Sequence, residues 1–207
     1  NGSLIHGTGT AADVSRASGK LTEKEQEEFA VVVNHMLGII GKIYREIQWS
    51  SQENKSPQPT KLQLECAKFF LNNGGNPITQ GGLTQTTSGQ LKNERGVKWV
   101  INAVGMTYNF EAGIQPETGR PPVIPAKPII IREVIRKSLN LIRDQHLGNS
   151  VAIPIMCTRG YGLAPGKSFN AIKEGIEDHV REGTNLKRIV IVGDNPETAN
   201  FINHYLK

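Results

Sequence analysis

Two glycine-rich stretches carry the groups most able to do chemistry in this chain. The first runs Asn1-Gly2-Ser3-Leu4-Ile5-His6-Gly7-Thr8-Gly9-Thr10 and continues through Asp13 to Gly19. The second is SVAIPIMCTRGYG, from Ser150 to Gly162. In each, small residues stand where a strand or loop gives way to a helix. Backbone N–H groups lie open at such junctions, and the helix dipole favours an anion there. Glycine lets a diphosphate approach the backbone where a side chain would block it. Two such loops in one chain predict a cleft that holds both ends of a diphosphate ligand. The first stretch also offers two proton acceptors, the imidazole of His6 and the carboxylate of Asp13. Each has a plainer role open to it, His6 as a surface loop residue and Asp13 as a solvated helix residue.

These loops need a scaffold, and hydrophobic spacing supplies one. Residues 10–19 read as a short helix on the first loop. Thr22 and Glu25 form a capping-box pattern ahead of a helix over 23–49, with an apolar stripe that includes Phe29, Val32, Met36 and Ile40. Residues 50–60 are polar with two prolines and read as a loop. A helix is expected over 61–71, closed by Asn72-Asn73-Gly74-Gly75, and strand-like alternation marks Leu83–Thr87. Lys98–Val104 is a short apolar strand. Residues 107–128, with Pro116, Pro121, Pro122, Pro125 and Pro128, read as a long irregular loop. Then come a helix over 129–146, a strand over Ser150–Met156, a helix over Lys167–Glu182, a strand over Arg188–Val192 and a helix over Glu197–Leu206. Alternating strands and helices predict a mostly parallel sheet flanked by helices, with ligands beyond the carboxyl ends of the strands.

Bulk properties narrow the classes. A chain of 207 residues, 37% hydrophobic and 21% charged, fits one α/β domain with its own core. No stretch has the roughly 20 apolar residues of a membrane span, and no signal-peptide pattern opens the chain. Cys66 and Cys157 are far apart and lack metal-ligand spacing, so two reduced thiols are expected, with no metal and no cofactor. Together these predict an intracellular protein, cytoplasmic or nuclear, with secretion into a host cell as an open variant. The net charge of +5 permits a polyanionic partner. The basic residues are scattered, with Arg132/Arg136/Lys137 and Lys187/Arg188 the densest short groups, and an ordinary solvated surface accounts for them.

Taken together, these segments resemble the macro domain, an ADP-ribose-binding α/β/α module. The family opens its first ligand loop with NAAN-x-x-L-x-G-G-G-V and a helix ending R-A-A-G; Asn1 to Gly19 follows that spacing without a gap. A T-x-G…L…YVIHAVGP segment is matched by Thr87-Ser88-Gly89-Gln90-Leu91 and Trp99 to Gly105. The second family loop, S-V-A-x-P-x-x-S-T-G-[IV]-[FY]-G, is matched by Ser150–Gly162. The resemblance covers most of 1–22 and 62–207. It implies a three-layer α/β/α sandwich with a mostly parallel central sheet, a single macro-like domain over 1–207, with 23–61 an inserted helix and loop and 107–128 a proline-rich loop.

The resemblance also implies a ligand and a site. ADP-ribose, free or on a modified protein, is the expected partner. Gly7, Thr8, Gly9 and Thr10 would meet the distal ribose and a phosphate, with Val104 and Gly105 beside them. Thr158, Arg159, Gly160, Tyr161 and Gly162 would wrap the diphosphate. Asn1 would bond the distal ribose or orient a water. Two alignments of Arg159 are open: it replaces the family's glycine as a phosphate clamp or structural ion-pair residue, or it is an inserted residue and Gly160 takes the glycine position.

Several positions depart from the family. The strands that precede NAAN, and the Gly-Asp turn that reads adenine, have no counterpart here; a fragment and a replacement element are both open. Asn102 stands where the family usually has His. Catalytic members carry an Asp ten residues after the motif's Asn, and that position is Ala11 here. Asp13, two positions on, lies roughly 200° round a helix. If the protein is an enzyme, the expected activity is hydrolysis of an ADP-ribosyl glycosidic or ester bond, with Asn1, His6 and Asp13 as candidate catalytic groups. A degenerate macro domain that binds nucleic acid or a protein partner without catalysis is the alternative. Gly7-x-Gly9-x-x-Ala12 also mimics a dinucleotide fingerprint, but no strand precedes it and helix follows, which argues against a nicotinamide-dependent oxidoreductase.

Overall fold

A computed structural model describes residues 14–40, 60–74, 78–113, 115–117, 121–158, 162–193 and 195–205. The chain divides into two compact units. The first takes residues 1–79, 84–102 and 108–123, and the second takes 80–83, 103–107 and 124–207.

In the first unit a helical turn at 14–17 leads to helix α1 (Glu23–Ile40) and helix α2 (Lys61–Asn72). The capping box read at Thr22 and Glu25 is present. The Thr22 N–H donates to Glu25 Oε2 at 2.7 Å, and the Glu25 N–H donates to Thr22 Oγ1 at 3.3 Å. A second box starts α2, where Thr60 and Gln63 exchange the same pair of bonds. Each box satisfies helix N–H groups that have no carbonyl partner. Val32 of α1 packs against Ala67 and Phe70 of α2, flanked by Phe29 and Leu71. Lys61–Glu25 and Lys68–Glu28 ion pairs edge this contact at 3.4 and 2.8 Å. A second cluster joins Leu62 and Cys66 to Val14, Phe69, Ile78 and Val100.

The turn at 15–18 is pinned to the start of α2. Ser15 Oγ and Thr60 Oγ1 share a hydrogen bond at 2.7 Å, and the Leu62 N–H donates to Ser18 Oγ at 3.0 Å. Gly89, at φ +58°, comes so close that a methyl group there would lie 2.2 Å from the Ser18 carbonyl oxygen. Strand β1 (Leu83–Thr87), the short helix α3 (Leu91–Arg95) and strand β2 (Trp99–Ala103) follow, with β1 and β2 paired.

The described parts of 107–128 include short regular elements. Their ends form strands β3 (Thr107–Tyr108) and β4 (Val123–Ile124), which pair, and Phe110–Ala112 makes a 3₁₀ turn. The Asn109 N–H donates to the Pro122 carbonyl at 2.7 Å. Proline lacks only the donor, so its carbonyl still closes a ladder at a strand edge.

The second unit holds helix α4 (Pro128–Asp144), strand β5 (Ser150–Pro154), helix α5 (Pro165–Arg181), strand β6 (Arg188–Val192) and helix α6 (Pro196–Tyr205). Strands β5 and β6 are parallel, in register from Ser150 opposite Arg188 to Pro154 opposite Val192. Helix α4 buries Ile131, Val134, Ile135, Leu139 and Ile142, spaced along one face. Helix α5 buries Phe169, Ala171, Ile172 and Gly175. Gly175 allows close approach of the two helices, because a methyl group there would lie 2.6 Å from the Arg132 carbonyl oxygen. Phe169 also meets Phe201 of α6 edge-on, at 6.2 Å between ring centres.

Charge ties α4 to α5. Arg132 grips Asp178 with two hydrogen bonds, Nε at 2.5 Å and Nη2 at 3.0 Å. Arg136 bonds Glu182 and Glu133, both at 2.9 Å. The Arg132 bond and charge hold the Asp178 carboxyl below the usual carboxylate range. Arg132 and Arg136 are thus engaged in ion pairs rather than offered as a cationic patch. His179 is fully buried nearby. Its Nδ1 lies 2.6 Å from Asn140 Oδ1 and its Nε2 lies 2.9 Å from Thr184 Oγ1.

Among the described residues, no helix is long and apolar enough to cross a membrane.

Candidate functional site

The carboxyl ends of β5 and β6 come out together. Pro154 sits opposite Val192, and the Ile155 N–H donates to the Val192 carbonyl at 3.0 Å. From there the second glycine-rich loop begins. Cys157 adopts φ +56°, a left-handed backbone rarely taken by residues with a side chain. That conformation turns the chain sharply out of the strand. Thr158 follows, half-buried. At the far side of the loop the Leu163 N–H donates to the Cys157 carbonyl. Gly162 lies directly on that carbonyl, where a methyl group would come within 1.5 Å of the oxygen. The buried Ser168 hydroxyl donates to the Met156 carbonyl at 2.6 Å and ties the loop to the first turn of α5.

Helix α5 starts immediately after, with Pro165 in its first turn. Proline suits that place because it has no N–H to satisfy. The loop therefore leads into a helix N-terminus, whose dipole and free N–H groups favour a negatively charged ligand.

The end of β2 supplies the other wall. Val104 is almost fully buried. Its N–H donates to the Gly82 carbonyl at 3.0 Å, and its carbonyl accepts from the Gly81 N–H at 2.8 Å. Gly105 then packs against the second loop. A methyl group there would lie 2.6 Å from Cys157 Sγ and 2.7 Å from Ile131 Cδ1. The structure thus brings Val104 and Gly105 beside the loop that carries Thr158 and Gly162, with Cys157 as the contact. Asn102, in the position the resemblance gives to His, is buried and donates from Nδ2 to Thr86 Oγ1 at 3.2 Å. Its amide is spent within the β1–β2 pair.

Three residues of this region were not singled out by sequence reasoning: Gln80, Cys157 and Ser168. The Gln80 amide donates to the carbonyls of Gly105 and Pro125, at 3.0 and 2.9 Å. Ser168 offered a weak signal, a serine in the first turn of a helix. Gln80 and the backbone of Cys157 offered none. Burial pushes the Cys157 thiol above its ordinary pKa and raises that of the more deeply buried Cys66 to about 12. Neither is a ready nucleophile at neutral pH.

Asn1, His6, Gly7, Thr8, Gly9, Thr10, Ala11 and Asp13, together with Arg159, Gly160 and Tyr161, lie outside the described residues.

A separate cleft of about 330 Å³ opens in the first unit, lined by Glu25, Glu28, Lys61, Glu65 and Lys68 among others. It contains none of the loop residues named above. Its charges already have partners: Lys61 with Glu25, Lys68 with Glu28, and Glu65 accepting from the Thr87 N–H at 3.3 Å. Its size therefore does not make it the better candidate.

Among the described residues, no cluster of His, Cys, Asp or Glu is arranged to hold a metal ion.

No protein-family model and no curated protein matches the sequence. Solved structures do match. A mutant macrodomain of Oceanobacillus iheyensis with ADPR aligns over 100% of this chain and 80% of its own, at a TM-score of 0.64 and 16% identity. The macrodomain of the same organism with ADP aligns over 100% and 78%, at 0.63 and 16%. A Trypanosoma brucei macrodomain in complex with ADP-ribose aligns over 70% and 51%, at 0.52 and 17%. The chain has the α/β fold of macrodomains.

Proposed function

We propose that this protein binds ADP-ribose, and that its physiological ligand is ADP-ribose attached to protein. The observation that carries the reading is the Ser150–Gly162 loop, which keeps the family spacing and runs from the carboxyl end of β5 into the N-terminus of α5. A diphosphate gains most from such a junction, because charge-assisted bonds to backbone N–H groups are stronger than neutral ones. Gly105 and Gly162 both pack closely on Cys157, the residue at which the chain turns out of β5. Three similar structures carry ADPR, ADP or ADP-ribose in their descriptions, which supports the same ligand class here.

In this reading residues 1–207 act as one macro-like domain, and the first glycine-rich loop contributes Gly7, Thr8, Gly9 and Thr10. Thr158, Arg159, Gly160, Tyr161 and Gly162 wrap the diphosphate. Turnover is slow, because Ala11 offers no carboxylate to activate water. The protein then serves as a reader of the modification or as a weak hydrolase.

Calorimetric titration with ADP-ribose, with AMP and poly(A) as comparators, tests this. ADP-ribose is expected to bind more tightly than AMP. Binding of poly(A) with no response to ADP-ribose would overturn the reading in favour of a nucleic-acid module.

A further inference from the structure

We infer that Gln80 is a positioning residue for the candidate site, a side-chain clamp that fixes the backbone at Gly105. The inference rests on the ADP-ribose reading for its functional meaning, but its geometry stands on its own. The Gln80 Nε2 carries two hydrogens and meets two acceptors, the Gly105 carbonyl at 3.0 Å and the Pro125 carbonyl at 2.9 Å. Gly105 ends the turn after β2, and Pro125 lies just ahead of α4. These carbonyls are 25 and 45 residues away from Gln80 in sequence. One amide therefore joins three separate strands of chain.

The neighbours make this clamp matter to the loop. Gly105 faces Cys157 Sγ and Ile131 Cδ1, with no space for a methyl group. Cys157 in turn holds the strained backbone from which the diphosphate loop departs. If Gly105 moves, Cys157 loses its stop. The direct contacts run from Gln80 to Gly105, from Gly105 to Cys157, and from Cys157 to Gly162 and Leu163. The Gln80 amide bonds go to Gly105 and Pro125 and, among the described residues, not to Thr158 or Gly162, so its role is to position rather than to bind.

The two cysteines give a built-in readout. Cys66 is 3% exposed, whereas Cys157 is only half-buried. Alkylation by iodoacetamide at about pH 8, followed by mass spectrometry of the two cysteine peptides, separates local loosening from global unfolding. The full chain carrying Gln80→Met, which keeps length but donates nothing, is compared with wild type and with Gln80→Lys, which restores N–H donors. In Gln80→Met we expect Cys157 to label about tenfold faster, Cys66 to stay unreactive, and ADP-ribose to bind about tenfold more weakly, the scale of the one or two hydrogen bonds lost. Gln80→Lys should return the Cys157 rate toward wild type.

Unchanged Cys157 labelling and unchanged affinity in a folded Gln80→Met protein would overturn the clamp. Equal acceleration at Cys66 and Cys157 would overturn it too, since that reports general unfolding. If Gln80→Met does not fold, the Gln80→Lys protein decides: wild-type labelling at Cys157 supports the donor role, and accelerated labelling contradicts it. A wild-type protein with no affinity for ADP-ribose sinks the ligand reading alone, and the labelling arm still judges the clamp.

Discussion

Gly162 and Cys157 are in such close register that a methyl group on Gly162 would lie 1.5 Å from the Cys157 carbonyl oxygen and 2.8 Å from the Thr158 nitrogen. The loop between them is closed by the Leu163 N–H on the same carbonyl. This close approach depends on Gly162 having no side chain.

Gly162→Ala should therefore distort the loop rather than merely fill space. Overpacking of this kind costs about 1–3 kcal/mol. Thermal unfolding should show a lowered Tm, and ADP-ribose affinity should drop at least about tenfold. An alanine variant with wild-type Tm and affinity would mean that the loop is free to relax.

The α1–α2 contact makes a stability prediction. Phe70 is 2% exposed and packs with Val32 and Ala67. Phe70→Ala should cost about 3–5 kcal/mol in denaturant unfolding, from lost burial and the cavity left behind. A cost below about 1 kcal/mol would show that α1 does not depend on that ring.

His179 gives a pH dependence. Burial first, and then the charge of Arg143, hold its pKa below the ordinary 6.5, against the pull of Glu182 and Asp144. The unfolded chain therefore takes up the proton first as pH falls. The stability from the neutral ring is complete above about pH 6.5 and is lost as pH falls through that value toward the lowered one of the fold. Asp144, Asp178 and Glu182 are shifted below their usual ranges by hydrogen bonds, so their contribution persists to lower pH. Tm should decline as pH falls below about 6.5, and His179→Gln should remove that part of the decline while lowering Tm at neutral pH. An identical decline in both proteins would assign it to other groups.

Catalysis is the fourth test. Ala11 stands where catalytic relatives in the resemblance carry Asp, and loss of general-base assistance costs about 10²–10⁴-fold in rate. A mono-ADP-ribosylated protein should bind and turn over slowly. Whatever release occurs should depend on Asp13 or His6, as measured in Asp13→Ala and His6→Ala. Fast release that survives both substitutions would place the base elsewhere.

Much of the scaffold was legible because its signals are local. The Thr22 and Glu25 pattern gave a true capping box, and the helix expected over 129–146 is α4, Pro128–Asp144. The Arg188–Val192 run gave β6 with the same ends. The pairing of β3 with β4 was hidden by prolines, whose turn signals outweigh two-residue strands. Gln80 was invisible for a different reason. A side-chain amide that meets carbonyls far along the chain leaves no periodic trace in sequence. The left-handed Cys157 was missed because that conformation announces itself through glycine, and no glycine stands there. The same loop's Gly162 and the end of β2 at Val104 and Gly105 were named in advance, and the two glycines pack on Cys157.

The central claim is that ADP-ribose is held at the loop following β5. Amide chemical-shift mapping during titration of ¹⁵N-labelled full chain with ADP-ribose tests it most directly. Saturable shifts are expected at Gly105, Thr158, Gly162 and the first turn of α5, with the 330 Å³ cleft of the first unit, around Glu65 and Lys68, unmoved. Saturable shifts confined to that cleft, or none at any ADP-ribose concentration, would contradict the account.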